Sequence, residues 1–251
     1  MIEVSVIEAP AGGAPGSGGV GLVELDRPER RNALDVAHCR MLADGVTALL
    51  ARGVRAIVVT GAGSSFCAGA DFGEVYSDGF RDALRAALRA VTGAPVPVVA
   101  AVNGPAIGGG TQLAIACDLR VAAPTAEFAV PAARLGVAVD PWTAHRLAQL
   151  AGGATARALL LACERIGPER ALARGLVDRL GTREDALALA AELAALAPLT
   201  LRYSKLALDR TDLPVDDPLL TTAFEACWSS ADLLEGRRAR EERRPPAFTG
   251  E

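Results

Sequence analysis

The chain has 251 residues, of which 51% are hydrophobic, and a formal net charge of −4 at pH 7. Its length suffices to bury the core of one large domain. Its mild acidity and 4% aromatic content leave no global attraction for nucleic acid and no stacking surface for single strands.

The opening stretch "MIEVSVIEA" alternates apolar and polar residues, as a half-buried strand does. It carries a glutamate where a secretory signal has a basic start. "PAGGAPGSGG" then reads as a turn and "VGLVELD" as a returning strand. Helical spacing of apolar residues runs through "RPERRNALDVAHCRMLADGVTALLA", with Asn32 as the expected cap. A buried strand, "VRAIVVTG", ends in the turn "GAGSS"; the Ala-rich helix "FRDALRAALRAVTG" closes on Gly93. "VPVVAAVNG" is a second buried strand, leading to Gly108, Gly109 and Gly110 and a helix after them. "CDLRVAAPTAEFAVP" reads as two short strands around a turn, and "DPWTAHRLAQLAGG" as a helix. The apolar stretch "ATARALLLACERI" and a helix ending at Gly175 follow. After about Gly181 the pattern is helical almost throughout, ending in the single long helix expected over "DPLLTTAFEACWSSADLLEGRRAREERR", which Pro245 and Pro246 stop. No apolar run is long enough to span a bilayer.

Two stretches carry chemistry. "TGAGSSFCAGAD" follows a buried strand, the place where a dinucleotide pyrophosphate binds. It lacks GxGxxG, having Phe66 at the third glycine position, and no acidic residue ends a strand at the right distance beyond it. A Tyr-x-x-x-Lys pair is also missing, Tyr203 and Lys205 being two apart. The second stretch, "GPAIGGGTQLAIACDLRVA", enters a helix through three glycines. Unpaired amides at a helix start, without Cβ atoms around them, let a ligand oxygen approach closely. Two such amides on one oxygen make an oxyanion hole; the plainer alternative is close helix–strand packing.

The cysteines, Cys39, Cys67, Cys117, Cys163 and Cys227, are odd in number and scattered without a CxxC pair. That argues against a disulfide framework and against zinc, and makes a reducing cytoplasm the expected compartment. Cys67 and Cys117 flank the two glycine sites and read as buried filler.

"LDRPERRNALD", "AIVVTGAGSSFCAGADF", "PVVAAVNGPAIGGGTQLAIACDLRVA", "AEFAVPAARLGV" and "ALARGLVDRL", in that order, resemble the successive blocks of the enoyl-CoA hydratase/isomerase (crotonase) family. "RRPPAFTG" resembles the usual C-terminal ending of that family, and the whole resembles an actinobacterial branch of it. The resemblance implies an α/β crotonase fold. Residues 1–190 would form a spiral of ββα units that binds acyl-CoA, and 191–251 a helical oligomerisation region, giving a homotrimer or a hexamer of two trimers. It also implies an oxyanion hole made by the amides of Ala70 and Gly109, with Ala68 to Ala70 beside the adenine. Arg31, and less directly Lys205, fall at positions that meet CoA phosphates, while Asp71 matches a common position near the bound group. Coenzyme A would enter as part of the substrate, with no metal or other cofactor.

The same resemblance marks a departure. Family hydratases carry two glutamates, one in "GGGxE" and one in a later "PE"; here those positions hold Gln112 and Ala132. Hydration needs a base on water and an acid at the α-carbon. Gln112 can orient a group but cannot transfer a proton, and Ala132 can do neither. Asp140 in "LGVAVDPW" is the nearby ionisable residue, matching an aspartate that carries chemistry in some relatives, and is equally a good N-cap before Pro141. Glu127, Trp142 and His145 read as strand face, wall or core, and packed or exposed side chain. Three functions follow: an acyl-CoA-binding protein that lacks hydration and presents its ligand to a partner enzyme; an active isomerase-type enzyme in which Asp140 moves the proton; or a hydratase with an atypical acid and base.

Overall fold

The computed structural model describes residues 1–7, 19–71, 73–74 and 76–251. All but the last residue of the expected turn over 10–19 lies outside the described residues. Among these, one sheet has the order β1(Ile2–Ile7), β2(Val20–Leu25), β3(Ala56–Gly61), β4(Val98–Val102), β6(Leu119–Ala122), β9(Arg179–Leu180). β1 is antiparallel to β2, and every other neighbour in the sheet is parallel. A second, three-stranded sheet joins β5(Pro105–Ile107), β7(Glu127–Ala129) and β8(Arg165–Ile166).

Residues of β3 and β4 are buried at every position, which is why both read as unbroken apolar runs: a parallel strand covered on two faces has no side to leave polar. Alternation sorts the side chains between those faces. Val23, Leu25, Ile57, Val59, Val98 and Ala100 join the core beneath α1(Val36–Ala51), α2(Asp78–Thr92) and α3(Gly109–Ala116). Val20, Leu22, Ala56, Val58, Val99 and Ala101 instead meet Ala186, Leu189, Ala190 and Ala194 of α6(Arg183–Ala194). The boundary expected after residue 190 therefore falls inside a helix that belongs to the core as far as Ala194.

Between these lie α4(Pro141–Leu160) and α5(Pro168–Ala173), and α7(Pro198–Asp209), α8(Pro218–Trp228) and α9(Ala231–Glu242) end the chain. Three expectations need correction. Asn32 is not a helix cap: Pro28–Arg30 form a 3₁₀ turn, Arg31 and Asn32 have φ of 53° and 58°, and α1 is capped by Asp35, which accepts from His38 N. Asn32 suits the left-handed conformation as well as it suits a cap, and its amide reaches the carbonyls of Ala62 and Ser65, a contact invisible to local spacing. α4 runs beyond Gly153 to Leu160, with a break at Gly152 (φ 77°). The long final helix is two, because Ser230 accepts from Leu233 N and starts α9 anew.

Candidate active site

The segment Cys67–Ala70 is held on both sides. Cys67 N donates to Pro105 O, and Ile107 N to Cys67 O. Ala68 N donates to Arg31 O, Leu34 N to Gly69 O, and Asp71 N to Leu34 O at 2.7 Å. Ala70 N has no acceptor among the described residues. β5 delivers the chain to Gly108, whose φ of 54° and ψ of −112° suit no residue with a Cβ. That twist turns Gly109 into the first position of α3, where its amide also lacks an acceptor among the described residues. The two free amides are neighbours: a Cβ on Gly109 would lie 3.7 Å from Ala70 N, and one on Gly69 would lie 3.3 Å from Gly109 N. Gly110 is required for a different reason. A Cβ there would come within 2.1 Å of Cys67 O, so only glycine lets the helix approach this segment. Two N–H groups without acceptors among the described residues, one at the positive end of α3 and the other beside it, on a backbone clamped from both sides, could donate together to one acceptor oxygen.

One turn further along α3, Gln112 is 7% exposed. Its Nε2 donates to Thr143 Oγ1 at 2.7 Å and Asp140 Oδ2 at 3.1 Å. Asp140 caps α4, accepting from Thr143 N on Oδ1 and from the Thr143 hydroxyl on Oδ2 at 2.7 Å. Asp140 is the N-cap of α4, one of the two roles considered for it, and it also accepts from Gln112. Ala132, in the 3₁₀ turn Pro131–Leu135, packs on the core and brings no polar group. Tyr76 OH donates to Leu135 O, tying the segment after Ala70 to that turn.

A model of the enoyl-CoA hydratase/isomerase family matches residues 16–251. The chain belongs to that family. Among its relatives is the "Probable enoyl-CoA hydratase echA6" of Mycobacterium bovis and of Mycobacterium tuberculosis, each 44% identical over 231 residues that cover 91% of this chain and 95% of theirs. The mitochondrial methylglutaconyl-CoA hydratase of Rattus norvegicus is 32% identical, with 93% of this chain and 80% of that protein covered. An enoyl-CoA hydratase/carnithine racemase from Magnetospirillum magneticum superimposes with a TM-score of 0.85 at 32% identity, covering 93% of both chains. The enoyl-CoA hydratase from Bacillus anthracis gives 0.84 at 30%, covering 99% of both. The fold is therefore the crotonase fold that the sequence blocks imply.

The remaining family positions separate into two groups. Arg31 stays beside the cradle: its carbonyl holds Ala68 N, and its exposed guanidinium has no partner among the described residues. Asp71 is braced locally, with Oδ2 3.1 Å from the Arg27 guanidinium and Oδ1 accepting from Gly73 N. Lys205 lies elsewhere. Its ammonium meets Asp118 Oδ2 at 2.8 Å and the carbonyls of Val91 and Val96, beyond the C-terminal end of α3, so its three protons are engaged within the fold. Burial pushes the Asp118 carboxyl above its ordinary value, against the pull of Lys205.

Cys67 and Cys117 are wholly buried, and burial pushes each thiol up to about 12, so neither is a nucleophile. His145 is exposed, Trp142 is at the surface, and Glu127 pairs with Arg165. No group of three or more metal-binding side chains occurs among the described residues, and no single helix among them is long and apolar enough to cross a membrane. Sequence reasoning missed Thr143 and Arg27. Thr143, three residues after a capping Asp, sits where its N–H and its hydroxyl both donate to the Asp140 carboxylate, and the Asp-Pro start was the signal for that position. Arg27 carried none, since its partners come from two separate loops.

Proposed function

We propose that this family member binds fatty acyl-CoA thioesters, with the thioester oxygen between the amides of Ala70 and Gly109, and lacks ordinary hydratase activity. The observation that carries this is the pair of unpartnered amides beside a Gln112 whose NH₂ group is engaged by Asp140 and Thr143. The grip for a thioester is intact, while the two positions that would hold a base and an acid offer an amide and a methyl group. Each missing general acid or base costs about 10²–10⁴ in rate. Arg31 and Ala68 are assigned to the CoA portion, Arg31 through a guanidinium that has no partner among the described residues; the engagement of Lys205 speaks against that role for it. The bound thioester would be handed to an acyl-CoA-using partner enzyme. Exposed apolar residues of α8 and α9, including Phe224, Trp228 and Leu234, support a homotrimer or a dimer of trimers.

An isomerase-type enolate chemistry through Asp140 is the second reading, favoured by its 3.1 Å contact with Gln112. It ranks below the first because three donors already fall on that carboxylate and occupy the oxygens that would have to receive a proton. Calorimetry with a saturated acyl-CoA should give saturable binding, and a short 2-enoyl-CoA should be hydrated far below the rate of a family hydratase. No binding would end the cradle assignment, and ordinary hydration would end the loss of activity. α-Proton exchange in heavy water that disappears in Asp140→Asn would replace the first reading by the second.

A further inference from the structure

Leu34 and Ala70 pair as an isolated parallel bridge outside both sheets. Leu34 grips both peptide planes that flank Ala70: its N–H donates to Gly69 O and its carbonyl accepts from Asp71 N, each at 2.7 Å. The first of these bonds sets a direction. Gly69 C=O and Ala70 N–H belong to one planar peptide, and no described peptide bond is cis, so the two point opposite ways. Holding the Gly69 carbonyl on Leu34 therefore aims the Ala70 amide away from Leu34. The same rule applies one step back. Ala33 C=O and Leu34 N–H share a peptide, and Arg27 Nη1 donates to Ala33 O at 3.3 Å. That nitrogen also donates to Asp35 Oδ2 at 3.3 Å and lies 3.1 Å from Asp71 Oδ2. Asp35 and Asp71 directly follow Leu34 and Ala70. One nitrogen thus holds both halves of the bridge, and the two carboxylates balance its charge, so what it passes on is direction rather than field.

We propose that Arg27 is a positioning residue for the Ala70 amide, acting through two successive peptide planes. The guanidinium fixes the Ala33 carbonyl, Leu34 N–H fixes the Gly69 carbonyl, and Ala70 N–H is thereby aimed at the ligand oxygen. This rests on the acyl-CoA reading above. Without Arg27 the bridge keeps its backbone bonds but loses the tie at Ala33, Asp35 and Asp71, and the Ala70 N–H turns off line. A hydrogen bond weakens steeply as its angle departs from linear.

The test uses the full-length protein with hexanoyl-CoA labelled with carbon-13 at the carbonyl, and coenzyme A itself as the control ligand. A carbonyl that accepts hydrogen bonds resonates downfield of the free thioester, so binding to the unaltered protein should move the resonance downfield. In Arg27→Met about half of that displacement should be lost, one of two donors being misaligned. Hexanoyl-CoA should bind about three- to tenfold more weakly, with the affinity for coenzyme A unchanged. Arg27→Lys should restore both readouts, because the three contacts end on one nitrogen and an ammonium carries three donors. Arg27→Gln is the second variant should Arg27→Met not fold: its shorter polar side chain suits the half-buried position but stops short of Ala33, and the same losses are expected. In the ligand-free protein, hydrogen exchange at the Leu34 amide should quicken in either variant while the amides of β3 keep their protection. An unchanged resonance or unchanged Leu34 exchange in a folded variant would overturn the proposal. Equal losses for hexanoyl-CoA and coenzyme A would overturn it too, leaving Arg27 a structural brace. Binding of hexanoyl-CoA to the unaltered protein with no displacement of its carbonyl resonance would instead mark the failure of the underlying reading, and Leu34 exchange would still decide the relay.

Discussion

The two ends of the eight-residue helix α3 are chemically opposite. At its C-terminal end everything is paired. Arg120, 1% exposed, donates to Leu176 O, Cys117 O and Asp178 Oδ2, and Lys205 closes on Asp118 and two carbonyls. At its N-terminal end the amides of Gly109 and Ala70 and the Oε1 of Gln112 have no partner among the described residues. Both ends concentrate polar groups in a largely apolar core, so polarity does not distinguish structure from site. Unfilled bonding capacity does. A closed network fixes the fold, and an open one retains the bonding capacity on which the proposed thioester site rests.

The sharpest way to break this contrast is at neighbouring glycines. Gly110→Ala should destabilise by roughly 1–3 kcal/mol or more, read by thermal or urea unfolding, because its Cβ meets the Cys67 carbonyl. Gly109→Ala meets only ordinary contacts and should fold normally. The methyl group would stand beside the Ala70 amide, so acyl-CoA binding should weaken about tenfold or more, a loss of ~1.4 kcal/mol or more. Equal stability losses in the two variants would remove the distinction between packing and cradle.

At the closed end, Lys205→Met should cost about 1.5–3 kcal/mol by leaving Asp118 with only the Val98 amide as donor, with acyl-CoA affinity of the folded protein unchanged. Arg31→Ala should do the reverse. Stability should hold, while CoA thioesters bind about three- to fivefold more weakly at low salt and pantetheine thioesters are spared. Equal losses for both ligands would remove the phosphate role. The smallest effect lies far from both ends. Glu235, bridged by Arg244 and the Ala247 amide, is held down at about 2. Its contribution to stability is present above the unfolded glutamate value near ~4.3 and is lost as pH falls towards 2. Glu235→Gln should flatten that acid limb in a pH series of unfolding curves.

Much of the candidate site is legible from residue order alone. The glycines at 108–110 sit where a strand feeds a helix, and Gln112 and Ala132 are visible as departures from an acidic pattern. Less legible were the roles of groups whose partners come from distant segments. Asn32 has the same composition signal whether it caps a helix or, as here, pins the Ala62–Ser65 turn. Lys205 has the same signal as a phosphate contact and as a partner of Asp118. Asp140 presented a cap and a chemical role as alternatives; the fold shows the cap, and the oxygen that takes the Thr143 hydroxyl also takes Gln112, a partner no local spacing announces.

Periodicity and backbone chemistry are local, and they determined most strands and helices, though not the short β5 and β8, together with the need for glycine before α3 and the absence of a carboxylate at the two expected positions. Pairing is not local. That Ala70 and Gly109 bring their amides together, that Lys205 is occupied while Arg31 has no partner among the described residues, and that the Gln112 NH₂ group faces the start of α4, were decided only when separate segments packed. A hydrogen bond depends on distance and direction in space, and a one-dimensional spacing contains neither.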